Sequence, residues 1–221
     1  MTDEQRFQLA AVESPAGGGE APMAAAAAHA PAASVDPHTA VLVEGGSDQV
    51  ALEVLAARRG RALAAAGSAV VPIGGARNLR RFLERLVLGL DLSLAGLVTP
   101  VRRRFPARSG AGRPWLNLGR ADLEALGFSV CVADLQDELI CCLGAAAVQH
   151  VVAAQGERGS FRTFQQQPAW RGRSSQAQLR RFIGSHSGRK IRSARLLVEV
   201  LELTSVPWPL DRLLAHLWRI E

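Results

Sequence analysis

Two carboxylates four residues apart, Glu44 and Asp48, are the side chains in this sequence best placed to do chemistry. They sit in Val41-Leu42-Val43-Glu44-Gly45-Gly46-Ser47-Asp48. A short apolar run ends in an acid, two glycines follow, and a serine and a second acid open the next segment. An acid at the carboxyl end of a buried strand lies where open α/β sheets bind ligands. Two acids around a tight turn offer oxygen ligands to a hard divalent cation. The plainer alternative is a strand-end Glu followed by a first-turn Asp that only complements a helix dipole. A second acidic group, Asp134, Asp137 and Glu138, follows the apolar run at 128–133. Its i, i+3 and i, i+4 spacing puts these acids on one helical face, as a second metal-facing edge or as an acid-rich helix start. The third candidate is Lys190, the one lysine in the chain, in Ser187-Gly188-Arg189-Lys190. A lysine gives phosphate a compact charge and is desolvated more readily than arginine.

The elements around these residues follow from periodicity. Residues 40–43, 69–73, 94–98 and 128–133 read as short buried strands. Helical patterns follow at about 47–59, 76–88 and from Asp134, then at 145–154, 159–166, 175–184, 190–202 and 209–219. Ser47 is the expected cap of the first helix. Strand–helix alternation implies an α/β fold: a mostly parallel four-stranded sheet flanked by helices, with a helical C-terminal part. Residues 1–37, rich in Ala, Gly and Pro, read as a disordered tail. Residues 38–144 read as the α/β core and 145–221 as the helical part of the same domain. Residues 98–118 carry arginines, no periodicity and no acid until the core resumes near 120, and read as an atypical exposed loop.

Composition narrows the partner. The chain of 221 residues carries +6 overall; residues 1–40 hold a net −4, so the remainder holds +10. From Arg158 to Arg195 there are ten basic residues and no acid. Arg171, Arg173, Arg180, Arg181, Arg189 and Arg192 are therefore candidate nucleic-acid contacts, since a basic folded body favours a polyanion. A solvated Arg-rich face is the bland reading of the same run. Three cysteines, Cys131, Cys141 and Cys142, an odd number with two adjacent, point to a reduced, cytoplasmic protein. No apolar stretch approaches the roughly 18 residues of a membrane span, so no membrane partner is expected. The N-terminus lacks a basic region followed by an apolar one. There is no G-x-x-x-x-G-K-[ST] and no G-x-G-x-x-G after a strand, and Cys and His show no zinc spacing. Trp115, Trp170, Trp208 and Trp218 are scattered and read as packing residues rather than base-stacking platforms.

Taken in order, these pieces resemble the TOPRIM (topoisomerase–primase) domain of the overcoming-lysogenization-defect, OLD, endonucleases, over about residues 38–218. The resemblance rests on Val41 to Asp48, on Val70-Val71-Pro72-Ile73-Gly74-Gly75-Ala76-Arg77-Asn78, and on Leu94-Ala95-Gly96-Leu97. Gly127-Phe128-Ser129-Val130-Cys131-Val132-Ala133-Asp134-Leu135, Asp137-Glu138-Leu139-Ile140 and Gly188-Arg189-Lys190 complete it. It is nearest to stand-alone TOPRIM proteins of high-GC bacteria, labelled ATP-dependent endonucleases although they lack the ATPase domain. The resemblance implies a Rossmann-like TOPRIM sheet and phosphodiester hydrolysis with Mg²⁺ or Mn²⁺. Glu44, Asp48, Asp134, Asp137 and Glu138 would be metal ligands, with Glu44 and Lys190 catalytic. DNA is the implied substrate, and a separate ATPase subunit or a homo-oligomer the implied protein partner.

The sequence also departs from that family. After Leu94-Ala95-Gly96-Leu97 the family carries an Asp-x-Asp or Asp-x-x-Glu motif, where this chain has Val98-Thr99-Pro100-Val101 and three arginines. Gln136 stands where relatives usually have Glu. The Arg, Pro, Gly and Ala content of 98–118 is what an out-of-frame reading of a high-GC gene gives, and resequencing tests that origin. The expected function is OLD-type, metal-dependent endonuclease activity impaired by loss of the central acids. The alternative is a catalytically inactive nucleic-acid-binding or partner-docking module. A nucleotide-binding regulatory domain is a third reading, disfavoured by the missing Gly fingerprint.

Overall fold

Alternation along the strands decides how the sheet is covered. The computed structural model describes residues 37–79, 82–83, 92–99 and 119–219. Four strands, β1 (Thr39–Val43), β2 (Ser68–Pro72), β3 (Ser93–Val98) and β4 (Phe128–Val130), form one parallel sheet in the order β2-β1-β3-β4. Val41, Val43, Ala95 and Leu97 face one core, while Leu42, Val71, Val98, Phe128 and Val130 face another. A sheet buried on both faces needs near-continuous apolar strands, which is what β1 and the second half of β3 supply. Pro72 is tolerated because β2 is an edge strand.

The larger core is closed by helices α1 (Gly46–Arg58), α3 (Leu135–Ala154), α4 (Arg158–Gln166), α5 (Ser175–Ile183), α6 (Ser187–Val200) and α7 (Trp208–Leu217). A short helix, α2 (Arg120–Ala125), precedes β4. The smaller core uses Ile73, Leu79, Phe82 and Leu83, next to a 3-10 turn at Ala76–Asn78. Helices α1 and α6 run side by side in the same direction. Ile191 packs over Gly46 at their starts, and the Arg58 guanidinium donates to the Val198 and Leu201 carbonyls at their ends. Arginine suits that place, since the last carbonyls of a helix lack intrahelical donors.

The four expected strands and the α/β class agree with the structure, with β4 ending at Val130 rather than 133 because Cys131 begins the turn into α3. The expected helix from Asp134 and the one at 145–154 are a single element broken at Gly144, whose φ of 76° departs from the helix. Joined, they make one helix of 20 residues with a mean hydropathy of 1.4 over its most apolar 18-residue window. By length and composition alone it could cross a membrane, contrary to expectation. Its Leu135, Leu139, Ile140, Val148 and Val152 lie in the larger core. Helix α2 was not expected; its amino end is held by Asp122, which accepts from the Gly119 amide at 2.7 Å. The tail expectation (residues 1–36), most of the 76–88 helix and the 100–118 segment lie outside the described residues.

Gly96 marks the tightest approach in the sheet. A Cβ there would meet the Leu42 carbonyl oxygen and a Phe128 ring carbon 2.5 Å away. Both neighbours are fixed, one by the β1–β3 ladder and one by the smaller core. Gly96→Ala is therefore expected to destabilise the fold by about 1–3 kcal/mol through overpacking. A lowered urea midpoint at unchanged m-value is the check.

Candidate functional site

Register puts the chemistry on one rim. Val43 pairs with Pro72 on one side and Leu97 on the other, and the Cys131 amide continues the ladder by donating to the Val98 carbonyl at 2.9 Å. The residues that follow the strands, Glu44, Thr99 and Cys131 to Asp134, thus emerge together at the carboxyl edge, where parallel α/β sheets bind ligands. Glu44, Asp48, Thr99, Cys131, Asp134 and Lys190 all line one small pocket there, of about 20 Å³. Helices α1 and α6 both begin at this rim, and their dipoles favour an anion beside it.

Each carboxylate is held by a local bond. The Thr99 amide donates to Glu44 Oε1, spanning 55 residues. Asp48 Oδ2 accepts from the Gly45 amide at 3.0 Å, so Asp48 caps the start of its own helix, and Gly45 occupies the cap position expected for Ser47. Asp134 caps α3, accepting from the Asp137 amide at 2.8 Å. Its second oxygen accepts from Arg180 Nη2 at 2.7 Å, while Asp137 lies 3.9 Å from Arg180 Nε. Glu138 turns to the strand end, accepting from the Val132 amide at 2.7 Å, and does not line the pocket. Gln136 is buried and donates to the Arg180 carbonyl at 2.7 Å. The Lys190 ammonium forms no hydrogen bond or ion pair among the described residues. Its charge acts on Asp48.

Burial pushes the Asp48 carboxyl up to about 6; Glu44 and Asp134 add to that rise, while Lys190 and the Gly45 amide oppose it. Burial also pushes the Cys131 thiol far up, with the nearby acids adding to the rise. A raised carboxyl costs stability once ionised: the cost is absent below about pH 4, grows between 4 and 6, and is fully present above that. Asp48→Asn keeps an acceptor for the Gly45 amide and removes the cost. With chelator present it is expected to stabilise the fold at pH 7.5 by up to about 2 kcal/mol more than at pH 4.5, where part of the cost is already present. Urea titrations at the two pH values check this, and an equal effect at both would contradict it.

Among the described residues no three His, Cys, Asp or Glu side chains gather closely enough to hold a metal as they stand. The donor set nevertheless fits one divalent ion. Its three acids, Glu44, Asp48 and Asp134, line one pocket and offer oxygens, the ligands Mg²⁺ and Mn²⁺ prefer. The ion pair that ties Asp134 to Arg180 is half exposed, at 32% and 41% for the two side chains. Such a pair contributes at most about 1 kcal/mol and yields to a divalent ion at little cost. Asp137, beside Arg180, and Glu138, on the Val132 amide, do not line this small pocket.

A larger cleft of about 560 Å³ adjoins the pocket and shares Asp134 and Lys190 with it; Trp170, Gln176, Arg180 and Arg181 also line it. Of the arginines singled out from the sequence, Arg180 and Arg181 thus face this cleft. Arg189 and Arg192 instead converge on Glu157, at 2.7 and 2.8 Å, and Arg189 also lies over the Phe182 ring. Arg171 donates to the Gln166 carbonyl, and Arg173 is exposed. Thr99, whose amide anchors Glu44, and Trp170 were not among the sequence candidates. Neither carries a local signal, because each acts through a neighbour remote in sequence or through its place beside the cleft.

A family model for the TOPRIM domain of overcoming-lysogenization-defect-like proteins matches residues 38–92, which include Glu44 and Asp48. No curated protein sequence matches the chain. Among solved structures, the C-terminal region of the Burkholderia pseudomallei OLD protein superposes with a TM-score of 0.57 at 17% identity, covering 83% of this chain and 98% of that one. The corresponding region of the Xanthomonas campestris pv. campestris OLD protein superposes with a TM-score of 0.59 at 20% identity, covering 84% and 96%. The chain therefore has the TOPRIM-like α/β fold of the C-terminal region of OLD proteins.

Proposed function

We propose that the chain hydrolyses phosphodiester bonds of nucleic acid, DNA first, with one Mg²⁺ or Mn²⁺ ion at the carboxyl edge of the sheet. The observation that carries this reading is the meeting of Glu44, Asp48 and Asp134 with Lys190 in one pocket. Oxygen donors and a free ammonium are the two kinds of group that phosphoryl transfer needs, one for a cation and one for the charge on phosphoryl oxygens. When bound, a divalent ion supplies Lewis-acid polarisation of a phosphoryl oxygen. Lys190 sits at the start of α6 and neutralises a second oxygen. The amino ends of α1 and α6 orient the phosphate between them, and Arg181 holds the strand in the adjoining cleft. A site with one ion rather than two stabilises the attacking and leaving oxygens less evenly, so turnover is slow. Residues 38–144 supply the sheet and the acids, and residues 145–221 complete the same domain and supply Lys190; the core shared between β1, β3 and the helices supports a single domain.

A second reading, a nucleic-acid-binding module without catalysis, is favoured by one observation: Arg180 already neutralises Asp134 and approaches Asp137. Plasmid nicking separates the two. Conversion of supercoiled plasmid to relaxed circles with Mn²⁺ or Mg²⁺, stopped by chelator, is the expected result. Salt-sensitive DNA binding without nicking would support the binding module instead.

A further inference from the structure

Beside the pocket, Trp170 stands as a braced aromatic surface. Its ring stacks on Phe164 at 5.2 Å between centroids and 26° between planes. Phe164 rests in turn on the buried Phe182, at 5.6 Å, and Phe182 meets the buried Phe161 edge-on at 5.1 Å. The backbone of Trp170 is fixed too, its carbonyl accepting from Gln178 Nε2 at 2.9 Å, and Gln178 is itself buried. Half-buried and held from beneath, Trp170 lines the larger cleft together with Lys190 and Arg181. Arg181 is exposed and has no hydrogen-bond or ion-pair partner among the described residues. A rigid ring, a free guanidinium and an amide-bearing Gln176 around about 560 Å³ make a space of the size and chemistry of a ligand pocket, which commonly spans roughly 300–1,000 Å³.

We infer that this cleft takes one unpaired nucleotide next to the phosphate at Lys190, its base stacked on Trp170 and its outer phosphate on Arg181. The inference rests on the nucleic-acid reading above and adds to it a preference for unpaired strand. In a duplex each base face is covered by its neighbours, so only a splayed or single-stranded base can lie on the Trp170 ring. Aromatic stacking accepts any base, because every base has a π face, so the preference is for strand form rather than sequence. This assigns Trp170 a role that its scattered position in the sequence did not suggest.

The test uses the full chain with chelator present, so that nothing is cut, and measures anisotropy of a short labelled DNA strand, the same strand bearing abasic sites, and its duplex. Trp170→Ala is expected to weaken strand binding by about tenfold and to leave duplex binding within about twofold. The abasic strand is expected to bind the unaltered protein about as weakly as the base-bearing strand binds Trp170→Ala. Trp170→Phe, which keeps an aromatic face on Phe164, is expected to retain strand binding within about threefold. Arg181→Gln is expected to lower the slope of log affinity against log salt by about 0.7 on the strand. Equal weakening of strand and duplex by Trp170→Ala, or equal binding of abasic and base-bearing strands, would overturn the inference while leaving the nucleic-acid reading intact. If Trp170→Ala does not fold, the abasic comparison on the unaltered protein decides alone. Failure to bind any of the three DNAs would overturn both readings.

Discussion

Glu44→Gln is expected to lower metal-dependent cleavage by at least about 100-fold and to weaken divalent-ion binding in parallel. Changing groups that only orient a metal's ligands already costs about 10–100-fold, and Glu44 is proposed as a ligand itself. The substitution is informative because it spares the fold. Gln keeps a carbonyl oxygen to accept from the Thr99 amide, and the side chain keeps its length. What it removes is one negative charge from a pocket where Asp48 is already pushed up to about 6, in part by Glu44. Loss of that neighbour should lower the Asp48 carboxyl toward its ordinary range. A lowered metal affinity is therefore not explained by protonation of Asp48. Cleavage rates across metal concentration separate a binding defect, which excess Mn²⁺ repairs, from a defect in turnover, which it does not.

Lys190→Ala has the second-largest expected effect, a fall of about 100- to 1,000-fold in turnover, the range for losing one group aimed at developing charge. Metal binding should hold or tighten, since Lys190 is a positive charge beside the ligands and offsets the carboxylates it faces. This opposite sign distinguishes Lys190 from Glu44 and is the reason to measure both. Lys190→Arg is expected to recover only part of the rate. The guanidinium is planar, larger and differently hydrated, and the pocket holds only about 20 Å³. Arginine is the natural substitute in a chain with no other lysine. Full recovery by it would mean that any cation suffices and that the pocket does not discriminate.

How far the sequence foretold this site depends on how local each interaction is. The run Val41 to Asp48 reads correctly as strand, turn and helix because a continuous apolar run, two glycines and a first-turn acid all act within a few residues. Even there the cap differs from the one the sequence suggests: Ser47 falls inside the helix, and Asp48 reaches back to the Gly45 amide. The basic run from Arg158 to Arg195 was legible as charge but not as surface. Glu157, one residue before it, takes both Arg189 and Arg192, and Asp134, 46 residues upstream of Arg180, takes that one. Such pairs depend on which helices pack together, which no charge count reports. The i, i+3 and i, i+4 spacing puts Asp134, Asp137 and Glu138 on one helical face. Packing then divided them: Asp134 into both cavities, Asp137 toward Arg180 and Glu138 to the Val132 amide. Helix α2 carries no sequence signal, because six residues with two acids and an arginine show no apolar period.

The central claim is that the carboxyl edge of the sheet holds one divalent ion between Glu44, Asp48 and Asp134. Its most direct test is a Mn²⁺ titration of the purified chain followed by the loss of the free-ion electron paramagnetic resonance signal, beside Glu44→Gln. One Mn²⁺ bound per chain, weakened at least about tenfold by Glu44→Gln, is the expected result. Unchanged Mn²⁺ binding in the Glu44→Gln protein, or none in the unaltered one, would contradict it.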